Sequence, residues 1–136
     1  MTTLVYIATP YAAPTASQIE DNIAVAIRLC QIARRMGHLP IAPHIYFTQF
    51  LDDQVAVDRT WAMLQGKWLL RFCETVYAIK ESLDGIVSPG VREEVRMAEM
   101  LEIPVVEWSI ERRSEEPGFS LWQRGGIRYR TIEEKE

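Results

Sequence analysis

The chain has 136 residues, 48% of them hydrophobic and 25% charged, and a formal net charge of −4. That is enough for a single domain whose core needs no disulfide or metal staple. With no basic stripe the chain is a poor match for duplex nucleic acid, and no run is long enough to span a bilayer. The N-terminus carries no basic stretch followed by a cleavable apolar segment, so a cytoplasmic protein is expected. Cys30 and Cys73 lie in apolar surroundings outside any CxxC pair and read as buried thiols. His38 and His44 are the only histidines and neither belongs to a ligand-spaced cluster, so no metal site is expected.

In chain order, Leu4-Val5-Tyr6-Ile7-Ala8 is an apolar run ending in Thr9-Pro10, the pattern of a buried strand entering a loop. Ser17-Gln18-Ile19-Glu20 has the form of a capping box and predicts a helix start. That helix turns Ile19, Ile23, Ala26, Ile27, Cys30 and Ala33 inward and stops near Met36-Gly37. Residues 39–44, from Leu39 to His44, predict a second strand whose two prolines favour a sheet edge. A loop with Asp52 and Asp53 precedes a second helix over 55–72, with Trp61, Leu64, Trp68 and Leu69 expected in the core and Trp61 and Trp68 also suited to a dimer contact. Residues 74–79 predict a third strand, residues 80–90 a loop, residues 91–102 a third helix and residues 103–108 a fourth strand. From Ser109 the character changes. Residues 114–118 read as a linker, and 119–122 with 127–132 around Gly125-Gly126 as a hairpin or partner-binding flap.

Strands alternating with helices predict an α/β fold, a small doubly wound, flavodoxin-like or Rossmann-like parallel sheet of about four to five strands with a C-terminal tail or hairpin. The domain is expected over residues 1–108 and the tail over 109–136. Ligands of such sheets sit beyond the carboxyl ends of the strands, where the loops after the first three strands and the start of the third helix meet. The first of these loops, Thr9-Pro10-Tyr11, lacks GxGxxG, so no dinucleotide cofactor is expected.

One carboxylate is out of place. On the helix over 91–102, Val91, Val95, Ala98 and Leu101 form one apolar face, and at roughly 100° per residue Glu94 points into its centre while Arg92, Glu93, Arg96 and Glu99 point away. An ionised carboxylate on a buried face is costly unless it is paired or has chemistry to perform. Ser88-Pro89-Gly90, just before it, can hold an anion or sugar hydroxyls on free helix amides, or can be a capped helix start and nothing more. Tyr6 is suited either to core packing or to orienting a carboxylate, and His44 to the crevice or to a structural loop role.

The ordered set Tyr6-Ile7-Ala8-Thr9-Pro10-Tyr11, Leu39-Pro40-Ile41-Ala42-Pro43-His44, Cys73-Glu74 and Ser88-x-Gly90-x-x-x-Glu94-x-x-x-Ala98 followed by Ile103-Pro104-Val105 resembles the nucleoside 2-deoxyribosyltransferase-like superfamily, in particular a bacterial and phage branch of it. The resemblance spans residues 4–106. It implies an enzyme that cleaves the N-glycosidic bond of a 2-deoxynucleoside or its 5′-monophosphate, by hydrolysis or by deoxyribosyl transfer, through a covalent glycosyl-enzyme. It further implies Glu94 as nucleophile, Tyr6 as the residue orienting it, Ser88 and Gly90 holding the sugar or a 5′-phosphate, and Ala8 and Thr9 beside the base. His44 is a candidate substrate contact, as is Asp84, which stands in for an acidic loop residue of the transferases. No cofactor is implied, and a homodimer or larger assembly is. Members of the superfamily also carry an aspartate about two turns before the third strand, and no acid stands at the matching place near Gly66-Lys67, which leaves the leaving-group acid unassigned. Two other readings follow from the residues: a non-catalytic nucleotide-binding or sensor module, and an assembly protein acting through the tail.

Overall fold

The computed structural model describes residues 2–112, 118–124 and 128–129. Four parallel strands, β1 (Thr3–Ala8), β2 (His38–Ile41), β3 (Thr75–Ala78) and β4 (Val105–Arg112), lie in the order β2-β1-β3-β4. Two antiparallel strands, β5 (Phe119–Gln123) and β6 (Arg128–Tyr129), extend the sheet beyond β4. The helices are α1 (Ala16–Arg35), α2 (Pro43–Phe47), α3 (Ala56–Leu70) and α4 (Pro89–Met100). None of the described helices is long and apolar enough to cross a membrane.

The predicted α/β doubly wound architecture is present. Alternate residues of a strand face opposite sides, and in β1 both sides are buried. Val5 and Ile7 pack with Val25, Leu29 and Ile32 of α1, whereas Tyr6 and Ala8 pack with Leu70 at the end of α3 and with Val91, Val95 and Ala98 of α4. As the two prolines predicted, β2 is an edge strand.

Several local expectations are corrected. The cap of α1 is Thr15, not Ser17: its hydroxyl accepts from Gln18 N at 3.2 Å while the Gln18 side chain accepts from Thr15 N at 3.2 Å. Thr15 has the extended backbone a cap needs, and starting there adds helical residues ahead of Ser17. The buried stripe of α1 is rotated to Asn22, Val25, Leu29 and Ile32, keeping Ala26 and Ala33, and Ile27 is exposed. Apolar residues encircle most of this helix, so periodicity alone admitted two phases and docking on β1 selected one. Strand β2 ends at Ile41, and His44 is the second residue of α2 because Pro43 supplies the helix's first position, where no N–H is needed.

Trp61, Leu64 and Trp68 are not core residues; they are 44, 60 and 56% exposed. The face of α3 that meets the sheet is set by Gly66 and Leu70, its two buried residues. At 100° per residue, Trp61, Leu64 and Trp68 lie roughly 140–160° around the helix from Gly66. Leu69 packs at the margin of the core. Leu101 is the C-cap of α4 and is exposed, so the buried face of that helix ends at Ala98.

Strand β4 runs past residue 108 to Arg112, and β5 pairs with it in the same sheet. Phe119 and Leu121 are buried against the core that holds Val5, Leu29 and Trp108. Residues 114–117 of the expected linker lie outside the described residues, as do 125–127 and 130–132 of the expected hairpin.

Candidate active site

Strand order reverses about β1, whose neighbours β2 and β3 are reached in opposite directions, and the crevice beyond the carboxyl ends of β1 and β3 is the site such a sheet offers. Residues 9–15, helix α2, the 79–88 loop and the start of α4 surround it. Ser88 caps α4, its hydroxyl accepting from Val91 N at 3.3 Å, with Pro89 and Gly90 opening the first turn. This places Glu94 in the second turn, facing β1.

There the Tyr6 hydroxyl, on a side chain 1% exposed, donates to Glu94 Oε2. Among the described residues Glu94 Oε1 is closed off from solvent and has no hydrogen-bond partner. Burial pushes the Glu94 carboxyl up to about 7, against the hydrogen bond from Tyr6 and the charge of Lys67, which both favour the anion. Burial, with the adjacent carboxylate, also drives the Tyr6 hydroxyl well above its usual range, so it stays a donor. One oxygen is thus held and the other is free, on a carboxyl that burial raises to about 7.

Gly66 leaves room for the pair. A Cβ at this position would stand 3.0 Å from the Tyr6 hydroxyl oxygen, tight enough that the hydroxyl would have to give by a few tenths of an ångström. Gly66→Ala is therefore expected to displace the hydroxyl from Glu94. Melting should show no gain, although alanine in a helix interior is ordinarily favoured over glycine by about 1 kcal/mol. A raised Tm would contradict this.

Next to Gly66, Lys67 Nζ donates to Glu93 Oε1 at 3.3 Å, and Arg96 grips the same carboxylate at 2.5 and 3.1 Å. The hydrogen bonds of Arg96 and Lys67 pull the Glu93 carboxyl down to about 2, so it stays ionised. A cation therefore stands where the resemblance called for an acid. Glu94, Tyr6, Gly66, Lys67, His44 and Gly90 line a cavity of about 60 Å³. It adjoins a second of about 420 Å³, to which Tyr11, Asn22, Asp84 and Ser88 contribute, and His44, Asp53, Arg59, Met63 and Gly90 line both. The larger volume is within the range of roughly 300–1,000 Å³ seen for small-molecule sites. The His44 ring stacks on Tyr11, with centroids 6.0 Å apart and planes at 21°. Burial pulls His44 below its usual range, partly offset by Asp53, and favours the neutral imidazole.

Of the residues singled out from sequence, Tyr6 and Glu94 touch, and His44, Asp84, Ser88 and Gly90 line the crevice. Ala8 and Thr9 are buried beneath it and line neither cavity. Asp84 is at the outer wall, accepting from Gln18 Nε2 at 3.1 Å and facing Arg112 at 3.4 Å. Sequence reasoning missed Lys67, Asp53, Arg59 and Asn22 as site residues. Asn22 had a signal: it is a polar residue on a buried stripe, and it fastens the first loop by donating to the Tyr11 carbonyl at 3.0 Å. Asp53 and Arg59 had none, since they look like ordinary residues of a solvated loop and helix start.

Residues 3–108 match the family described as a domain of unknown function, DUF7768. Among solved structures, the chain is similar to a 2-deoxyribosyltransferase of Bacillus psychrosaccharolyticus, with a TM-score of 0.63 and 18% identity over 79% of this chain and 72% of that one. It is also similar to a 2-deoxyribosyltransferase of Leishmania mexicana, with a TM-score of 0.55 and 16% identity over 79% of this chain and 64% of that one. No curated protein matches it. At these identities the likeness is one of fold.

Proposed function

We propose that this chain, which belongs to the DUF7768 family, cleaves the N-glycosidic bond of a 2-deoxynucleoside or its 5′-monophosphate through a covalent glycosyl-Glu94 intermediate. The observation that carries the reading is Glu94 itself: a carboxylate in a crevice, one oxygen held by Tyr6 and the other unpartnered, ionising near neutrality. The fold shared with 2-deoxyribosyltransferases supports it.

In the first step Glu94 Oε1 attacks the anomeric carbon as the bond to the base nitrogen breaks. The bonding pair leaves with the base, which takes up a proton, and an ester to Glu94 forms. The carbon passes through an oxocarbenium-like state that the adjacent carboxylate stabilises. In the second step water, or the nitrogen of a second base, attacks the same carbon and returns Glu94 as the anion, so configuration is retained. Tyr6 orients the carboxylate, the α4 amides behind Ser88 and Gly90 face the sugar or its 5′-phosphate, and His44 and Asp84 bound the ligand. The reaction takes place in the cytoplasm and uses no cofactor.

The test is base release, followed by chromatography, from a panel of deoxynucleosides and their 5′-monophosphates, with and without a second free base. Release that depends on Glu94 establishes glycosidic cleavage, and the effect of the added base separates transfer from hydrolysis. One observation favours a non-catalytic nucleotide-binding or sensor module instead: Lys67 stands at the place of the missing acid. Tight binding without turnover would decide for that reading.

The protein works as a homodimer, joined through the outward side of α3 and α2. Val57, Trp61, Leu64 and Trp68 recur at helical spacing, beside exposed Tyr46, Phe50 and Phe72. Monomers seldom expose contiguous apolar patches beyond a few hundred Å². Light scattering is expected to give twice the chain mass for the native protein and the monomer mass for Leu64→Glu with Trp68→Glu. A native monomer would refute the assignment.

A further inference from the structure

Outside the Tyr6–Glu94 pair, the most unusual group in the crevice is the ammonium of Lys67. It is half-buried, it lines the same small cavity as Glu94, and it sits on the helical residue directly after Gly66, whose missing side chain lets α3 approach Tyr6. It is also held. Glu93 receives it at 3.3 Å and is in turn gripped by Arg96, so a Lys67–Glu93–Arg96 chain runs from the crevice to the outer face of α4. A flexible lysine head tied in this way becomes a fixed charge.

We infer that Lys67 is a positioning residue that draws Glu94 toward its anion across the cavity they share, with the free oxygen available to a ligand. This rests on the glycosidic reading for its kinetic consequence only; the effect on Glu94 exists without turnover.

The charged and titratable groups that face Glu94 leave Lys67 as the one suited to this. From β1 comes Tyr6, a neutral donor whose hydroxyl is committed to Oε2. From α2 comes His44, which burial keeps toward the neutral form. The loop before α3 contributes Asp53, an acid that lines the same cavity and supplies no positive charge. Glu93, the neighbour on α4, is neutralised by its two cations. Arg59 stands further along α3, two turns before Lys67, where the two cavities meet. Lys67 is the cation whose charge acts on Glu94 in the direction of the anion. A ligand that excludes water would strengthen this attraction, because screening falls in a drier site.

The experiment is the titration of Glu94, followed by carboxyl carbon NMR on protein with labelled glutamate and assigned by the signal lost in Glu94→Gln. Native protein, Lys67→Met and Lys67→Arg are compared without ligand, alongside the pH dependence of kcat/KM for base release. Lys67→Met is expected to move the Glu94 midpoint upward and to carry the rising limb of kcat/KM with it. Activity should fall several-fold at pH 7 and recover at high pH. Lys67→Arg should restore both. A Glu94 titration unchanged in Lys67→Met overturns the inference, including the case of a variant that is only less stable. Absence of base release from native protein would overturn the glycosidic reading, and the titration would still decide the role of Lys67.

Discussion

Glu94→Ala is expected to remove base release, by a factor on the order of 10³–10⁶, as losses of a covalent nucleophile ordinarily do. Ligand affinity should change little, because Glu94 lines the inner cavity whereas most of the contact surface belongs to the larger one. The same residue links activity to stability. Its carboxyl sits at about 7 in the folded chain against an ordinary value of 4.5, so between these pH values the folded state binds more protons than the unfolded state. Stability therefore falls as pH rises through that window: the contribution is complete below about 4.5 and gone above about 7. The effect is at most about 3 kcal/mol, an upper bound because solvent reaches part of the side chain. Glu94→Gln should accordingly melt higher than native protein at pH 8 and no higher at pH 4, while releasing no base. Native kcat/KM should rise with pH to a plateau above about 7, as a nucleophile that must be ionised requires. Equal activity in native protein and Glu94→Ala would dispose of the proposed mechanism.

Tyr6→Phe should produce the second-largest loss. The substitution keeps the ring in the core between β1 and α4 and removes one hydroxyl. That hydroxyl is the partner of Glu94 Oε2, and without it neither carboxylate oxygen has a hydrogen-bond partner among the described residues. A hydrogen bond to a charged group contributes roughly 1.5–3 kcal/mol, so kcat/KM at pH 7 is expected to fall about 10- to 100-fold. Because that bond favours the anion, the rising limb should move to higher pH. If Tyr6 only packed, the variant would keep the native pH profile. Comparing Tyr6→Phe in the native and Glu94→Gln backgrounds separates the two roles: the kinetic effect belongs to the pair, and a packing effect would persist without the carboxylate.

Much of this was legible in the sequence because local chemistry enforces it. Ser88 and Pro89 can only begin a helix where they stand, and 100° per residue then turns Glu94 onto the face of Val91, Val95 and Ala98 whatever that face meets. Pro40 confined β2 to an edge, since a proline has no N–H to give a second neighbour. Alternation of short apolar runs with helices determined the α/β class.

What tertiary structure alone decided was the phase of the helices that are apolar on most sides, and the company each residue keeps across elements. Nothing local distinguished the inward side of α1 or α3; burial against a particular strand did, and for α3 the deciding contact was Gly66 against Tyr6, sixty residues apart in the chain. The same docking brought Lys67 into the crevice beside Glu94 and left Trp61 and Trp68 outside. Periodicity is a property of one segment, and it specifies a face without specifying what lies opposite. Tyr6, Gly66 and Glu94 become a site only when three separate elements are packed together, because hydrogen bonding, desolvation and charge act through distances in space.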